Sequence, residues 1–222
     1  MKISKRHSYN HQTDKADISV FIDVFRASTS LPLLFHQGVK EVVLLQNDDL
    51  IPSFLDKEYI LVSEVYSKGM DNSPSQILGT NLKDKNIVLR TTNFTTAILN
   101  NLSFNSGLAA SFANIGAITQ YIQNQNPETL EIVMASQYSR REAAVEDESC
   151  ADMLEGLLLG MRFSEIPNLS GINTQIEELK KSDFKYFDHY WKDLDIALTI
   201  DQVSIVPRII NENRKIVRFV VD

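Results

Sequence analysis

The chain has 222 residues, 43% hydrophobic and 23% charged, with 22 Lys and Arg against 29 Asp and Glu for a net charge of −7. These are ordinary globular values for one large domain or two small ones, and they exclude disordered, coiled-coil and collagenous chains. The acidic balance leaves no basic footprint for nucleic acid, so an anionic ligand must be held by locally clustered donors.

A single cysteine, Cys150, cannot form an internal disulfide, which fits a reducing compartment. No run approaches the ~18 consecutive apolar residues that a membrane helix requires. Met1-Lys-Ile-Ser-Lys-Arg-His has no apolar segment behind its basic residues, unlike a signal peptide. A soluble, cytoplasmic protein is expected, with neither membrane nor nucleic acid as partner.

Ile18 to Val24 predicts a strand, because β-branched and aromatic residues dominate a short run. Ser28, Thr29 or Ser30 can cap the helix that follows, with Pro32 in its first turn and Gly38 just past its end. Glu41 to Leu45, Tyr59 to Val62 and Asn86 to Leu89 predict further strands, the last leading into a hydroxyl-rich loop and a helix start. Ser106 to Ala110 and Leu130 to Ala135 read as strands. Ile115, Ile118, Tyr121 and Ile122 have helical spacing, and Glu146 to Met161 reads as a helix with Cys150, Met153, Leu154, Leu157 and Leu158 on one side. Val203 to Ile210 and Ile216 to Val221 read as a hairpin.

Strands separated by helices predict an α/β fold with a mostly parallel sheet covered on both faces. A single unit over residues 1–222 is expected, with two lobes near 1–125 and 126–222 as the alternative. A boundary could fall at Gln123 to Pro127 or near Pro167 to Gly171.

Chemistry-bearing residues gather at strand-to-helix junctions. Arg26-Ala-Ser-Thr-Ser combines a planar guanidinium fork with three hydroxyls at a helix start, a pattern suited to an oxyanion. An ordinary cap beside a surface arginine is the structural alternative. Asp23 ends the first strand, where a carboxylate can hold Mg²⁺ or act as a base. Thr91-Thr-Asn-Phe-Thr and Ser111-Phe-Ala-Asn repeat the theme, although capping explains each singly. A parallel sheet would put all three junctions on one edge. Glu146 and Asp147 either complement a helix dipole or hold a metal and orient water. Glu64 is a similar candidate, and so is Asn72-Ser-Pro at the next helix start. Cys150 reads as packing, His7 and His11 as solvated in a polar arm, and His36 and His189 have no evident partners.

Together these segments resemble the 2-phosphosulfolactate phosphatase (ComB-like) family, whose pattern reads Asp-Val-x-Arg-Ala-Ser-Thr, Asn-Ser-Pro, Thr-Thr-Asn-Gly-Thr, Ser-Phe-x-Asn, Glu-Asp-x-x-Cys-Ala and a late Val-Pro. Here they stand as Asp23-Val-Phe-Arg-Ala-Ser-Thr29, Asn72-Ser-Pro74, Thr91-Thr-Asn-Phe-Thr95, Ser111-Phe-Ala-Asn114, Glu146-Asp-Glu-Ser-Cys-Ala151 and Val206-Pro207. The resemblance implies an α/β/α sandwich in two similar lobes with the site between them. It implies Mg²⁺-dependent hydrolysis of the phosphate ester of 2-phospho-3-sulfolactate, a step of coenzyme M synthesis in archaea.

On that reading Asp23, Arg26, Glu146 and Asp147 are the catalytic candidates, and Asp23 and Glu64 the metal ligands. Ser28, Thr29, Asn72, Ser73, Thr91, Thr92, Asn93, Ser111 and Asn114 would line the phosphate. Arg140 or Arg141 would meet a second anionic group. The expected partner is a small phosphorylated anion, and a homodimer is left open. Three places depart from the family pattern. Its Thr-Thr-Asn-Gly glycine is Phe94, its Cys-Ala-Gly reads Met134-Ala-Ser136, and its Arg-Gly-Gly loop reads Val65-Tyr-Ser-Lys-Gly69. A non-catalytic anion-binding relative is the rival reading, with Phe94 as its main support. A purely structural subunit is the third.

Overall fold

Successive side chains of a strand point to opposite faces of a sheet, and the apolar runs of this chain fill both. A computed structural model describes residues 1–10, 14–45, 48–64, 69–162, 174, 189–213 and 216–221. In chain order the elements are β1 (Lys2–His7), β2 (Ala16–Ile22), α1 (Ala27–His36), β3 (Glu41–Leu45), α2 (Ile51–Leu55), β4 (Ile60–Ser63), α3 (Pro74–Leu78), β5 (Asn86–Arg90) and α4 (Asn93–Leu99). They continue with β6 (Phe104–Ala110), α5 (Ile115–Gln125), β7 (Thr129–Met134), α6 (Val145–Leu158), α7 (Tyr190–Ala197), β8 (Arg208–Asn213) and β9 (Ile216–Val220). His11, residues 65–68 of the loop after Glu64 and the candidate boundary at Pro167 to Gly171 lie outside the described residues.

The strands form one nine-stranded sheet in the order β1-β7-β2-β6-β8-β9-β3-β5-β4. On one face Phe21, Val42, Leu44, Ile87 and Leu89 pack with Leu31 and Leu34 of α1, Ile77 of α3, and Phe94 and Ile98 of α4. On the other, Val20, Ile22, Leu108 and Ile132 meet Ile118 and Ile122 of α5, Cys150 and Leu154 of α6, and Ala197 of α7. Val43, Leu45 and Val88 turn to that side too, onto Ile51 and Phe54 around α2. The result is the expected three-layer α/β/α sandwich. Among the described residues no helix is long and apolar enough to cross a membrane.

Three features differ from the sequence reading. The N-terminal arm is a strand: β1 pairs in parallel with β7 from Lys2↔Thr129 to His7↔Met134. Its polar side chains concealed it, because an edge strand needs only its backbone ladder. Arg6 Nε bonding Glu131 at 2.6 Å and Ser8 Oγ bonding the Ala135 carbonyl at 2.7 Å fix it further. The first strand of the C-terminal hairpin is Arg208–Asn213 and not the run from Val203 to Ile210. The hairpin sits between β6 and β3, antiparallel to both neighbours, through Gly107↔Ile209 on one side and Val42↔Phe219 on the other.

The third difference follows from the hairpin. β1, β7, β2 and β6 are mutually parallel, as are β3, β5 and β4. The steps β6 to β8, β8 to β9 and β9 to β3 are all antiparallel. Three reversals make the two parallel blocks run in opposite directions, so the junctions after β2 and β5 do not share one sheet edge by topology. Loop contacts bring them together instead.

Helix α1 begins at Ala27, so Ser28, Thr29 and Ser30 lie in its first turn rather than capping it, and Arg26 is the flanking residue. The Asp23 N–H donates to Ser28 Oγ (2.9 Å), the Ser28 N–H to the Asp23 carbonyl (2.8 Å), and Thr29 Oγ1 to the Val24 carbonyl (2.8 Å). These bonds knit the β2–α1 turn. Gly38 ends the helix at φ +82°, the left-handed region that glycine enters without strain.

At the opposite end of the sheet's first block, Asp17 accepts bonds from the N–H of Thr129 (2.9 Å) and Glu128 (3.0 Å), from Thr129 Oγ1 (3.1 Å) and from Asn105 Nδ2 (3.2 Å). The Thr129 amide above all, against a small burial penalty, lowers the Asp17 carboxyl below its ordinary value. A depressed folded-state value contributes stability above the unfolded one and loses it as pH falls through the folded one. Asp17→Asn should therefore lower Tm at pH 7, with the gap to wild type closing in acid below the usual Asp range. A gap that is independent of pH refutes this role for the charge.

Candidate active site

Asp147 organises the site. It is 2% exposed in the first turn of α6, and its two oxygens accept the N–H of Val24 (Oδ1, 2.8 Å) and of Ser136 (Oδ2, 2.9 Å). These amides belong to the residues just beyond β2 and β7, so one carboxylate fixes both chain turns. Ser136 takes φ +56°, a conformation natural to the glycine of the family pattern. Its hydroxyl lies 2.9 Å from His7 Nδ1, which makes His7 a neighbour of the site rather than a solvated side chain.

Asp23 is 9% exposed at the end of β2. Burial first, then the charges of Glu64 and Glu146, push its carboxyl up to about 8, against the Ala27 amide and Arg26. Burial and the charges of Asp23 and Glu146 also raise Asp147 well above its ordinary range, against the pull of its two backbone amides. Burial raises Glu146. These carboxylates thus crowd one another without enough positive charge between them.

Glu64 closes the cluster from the other sheet block. It is exposed at the end of β4 and accepts from Thr92 N–H (2.6 Å), from the Thr92 hydroxyl and from Asn72 Nδ2 (3.4 Å). Ser30 Oγ donates to the Asn72 carbonyl at 2.5 Å, and the Tyr138 N–H to Asn93 Oδ1 at 3.3 Å. Such bonds draw together loops whose strands run in opposite directions.

Arg26 is 7% exposed and held from two sides. Its fork pairs with both oxygens of Asp71 (Nη1 at 2.9 Å, Nη2 at 3.0 Å), while Nη1 also reaches Asp193 Oδ2 at 3.1 Å. Asp193, fully buried on α7, accepts from Ser73 Oγ (2.7 Å) and the Ser75 N–H (2.9 Å) through its other oxygen. Ser73 in turn caps α3 by accepting the Gln76 N–H.

Of the residues singled out in the sequence, the structure brings together Asp23, Arg26, Glu64, Asn72, Ser73, Thr92, Asn93, Glu146 and Asp147. Ser28 and Thr29 are fully buried within the turn. Thr91 is buried in a reciprocal clasp with Thr95, their hydroxyls 3.1 Å apart. Ser111 donates its N–H to Asn114 Oδ1 (2.9 Å), and Asn114 Nδ2 binds the carbonyls of Ala109 and Ile205. These two anchor the approach to β8. Arg140 and Arg141 are exposed in the turn between Gln137 and Glu142, with Arg140 reaching Gln137 Oε1 at 3.5 Å.

The sequence reading missed Asp71 and Asp193. Asp71 carries no signal beyond its place next to Asn72. Asp193 had one: with Tyr190, Leu194 and Ala197 it completes the i, i+3, i+4, i+7 stripe that α7 buries. A carboxylate on such a stripe needs a buried cationic partner.

Phe94 does not intrude on these groups. It lies in α4, fully buried and stacked on Phe219 at 6.2 Å between ring centroids. The chain has no left-handed residue there, so the family's glycine is not needed. Phe94→Gly should destabilise the fold by about 4 kcal/mol through a core cavity and a helical glycine. A variant with an unchanged urea midpoint refutes that packing role. Asp193→Ala should cost about 3 kcal/mol in the same measurement, as it leaves Arg26 half-paired and the Ser73 and Ser75 donors unmatched. An unshifted midpoint rules out the buried pair as a structural anchor.

Over residues 4–212 the sequence matches the family described as 2-phosphosulpholactate phosphatase. Similar proteins bear the name "Probable 2-phosphosulfolactate phosphatase". One from Bacillus subtilis strain 168 is 28% identical over 197 residues, covering 85% of this chain and 82% of its own. One from Thermoplasma volcanium is 26% identical, covering 88% and 90% respectively. One from Caldanaerobacter subterraneus subsp. tengcongensis is 26% identical and covers 92% of both chains. With nearly its whole length inside the match, the chain belongs to the 2-phosphosulpholactate phosphatase family.

Proposed function

We propose that the chain is a Mg²⁺-dependent phosphatase that hydrolyses the phosphate ester of 2-phospho-3-sulfolactate or a closely related small phosphorylated hydroxy acid. The family and the names of its relatives support the reaction class. The metal is supported by the charge balance of the site. Asp71 and Asp193 pair with Arg26, and Asp23 next to it lies within reach of the charges of Glu64 and Glu146, with Asp147 beyond. A phosphate monoester carries about −1.5 to −2 charge near neutrality and would be repelled by that surplus. A hard divalent cation offsets both charges and accepts oxygen ligands only.

The donor set fits Mg²⁺. Among the described residues no group of three His, Cys, Asp or Glu side chains stands close enough to cage an ion. Mg²⁺ does not require one, because it keeps several waters and uses one or two carboxylates. Asp23 and Glu64 would hold it. When bound, it would offset the charge of the transferring phosphoryl group and acidify a coordinated water.

The chain's own residues do the remaining work. Asp193 steadies the Arg26 guanidinium from below, while Asp71, with 30% of its side chain exposed, covers the outer side of the fork. The ester's oxygens match the same bidentate geometry and would exchange with Asp71 there. Thr92 and Asn93 lie at the rim of the site, next to Glu64 and Tyr138. Asp147 fixes the backbone of both turns, so Asp23 stays in place as charge builds.

With p-nitrophenyl phosphate and with 2-phospho-3-sulfolactate, phosphate release should require Mg²⁺, stop with EDTA and return on adding Mg²⁺. Arg26→Ala should lower kcat/KM by about 100-fold, as loss of one transition-state donor does elsewhere. Asp23→Ala should abolish turnover. Intact metal-dependent hydrolysis in both variants would end this reading.

A further inference from the structure

The side chain of Asn72 is fully buried, yet its Oδ1 has no hydrogen-bond partner among the described residues. Leaving such an oxygen unmatched costs about 1–3 kcal/mol. Its orientation is not arbitrary. Nδ2 faces Glu64 Oε2 at 3.4 Å, and exchanging the amide's two ends would set oxygen against carboxylate. The backbone is pinned as well, by Ser30 Oγ on the Asn72 carbonyl at 2.5 Å. The side chain is thus held with an acceptor aimed where no protein donor arrives.

That acceptor stands beside like groups. Glu64, its neighbour, is within electrostatic reach of Asp23, which also faces Glu146. The Arg26 guanidinium, which lies near Asp23, pairs with Asp71 and Asp193. A water could satisfy the amide but would leave the carboxylates uncompensated. Two carboxylates and an amide oxygen form an all-oxygen set that suits a hard divalent cation completing its shell with water. A neutral third ligand has a further advantage: it adds a bond without another negative charge for the phosphate ester to meet.

We infer that Asn72 Oδ1 is a ligand, with Asp23 and Glu64, of the divalent cation required by the function proposed above, on which this inference rests. Asn72 is then a metal ligand and not a contact of the phosphate, the role given to it on the family resemblance.

The test uses the full chain and Mn²⁺ as a paramagnetic probe, with free Mn²⁺ read by electron paramagnetic resonance and Mg²⁺ as competitor. Wild type should bind Mn²⁺ in competition with Mg²⁺. Asn72→Ala should weaken Kd by about tenfold or more, at least the loss seen when a ligand's outer-shell partner is removed. Asn72→Asp should bind as tightly as wild type or more tightly, and its Tm should rise more on adding Mg²⁺ than that of wild type, because the metal relieves an added like charge. The Asp variant keeps the shape of the side chain, so it reports even if Asn72→Ala fails to fold. Wild-type Kd in Asn72→Ala, or an Asp variant with no larger metal-induced Tm rise, overturns the ligand role and leaves the phosphatase reading standing. Absence of Mn²⁺ binding by wild type overturns both.

Discussion

One carboxylate sets the geometry on which the site depends. From the first turn of α6, Asp147 accepts an amide hydrogen bond from each of two neighbouring strand ends. Without that clasp, Val24 and Ser136 would carry two unmatched buried amides, and the turn that bears Asp23 and Arg26 would have no fixed floor. Arg26 plays the complementary part on the other side. Through Asp193 it connects the β2–α1 turn with α7, 167 residues later. The position of the guanidinium therefore depends on elements from both ends of the sequence.

Charge is the other constraint. Proteins seldom bury like charges together unless something else is meant to stand among them. Here Asp23, Glu146 and Asp147 crowd one another, with exposed Glu64 at their rim, and the nearby Arg26 is itself engaged by Asp71 and Asp193. Stability alone does not account for that arrangement, because apolar side chains of similar volume would fill the same space without the desolvation penalty.

Much of the fold was legible in the sequence. Glu41–Leu45 begins and ends as its apolar run does, since a strand buried on both faces leaves an uninterrupted signature. β1 was illegible for the opposite reason: Lys2, Ser4, Lys5 and Arg6 look like an arm, and nothing in a side chain announces a backbone ladder. The direction reversal was hidden because a hairpin signal gives two strands and their turn but not their neighbours. At the site, motif residues at strand ends were visible, whereas their grouping was not. Ser28, Thr29 and Thr91 look like ligands on paper because hydroxyls that knit a turn and hydroxyls that meet a phosphate share one composition. The two departures at family glycines resolve in opposite ways. Phe94 occupies ordinary helix, while Ser136 keeps the left-handed backbone and adds a hydroxyl that reaches His7.

The hairpin of β8 and β9 has a bearing on how the molecule comes into being. Its strands are the last of the sheet in chain order, yet they occupy the middle, between blocks assembled from residues 2–134. Until the ribosome has released residues through Val220, β6 and β3 are open edges with unpaired amides and carbonyls. Each is a template for pairing with another nascent chain. The sheet thus closes after synthesis of its two halves rather than growing outward from one. In a crowded polysome that interval leaves both edges open to misassembly, and a chaperone that shields strand edges would act on those two strands.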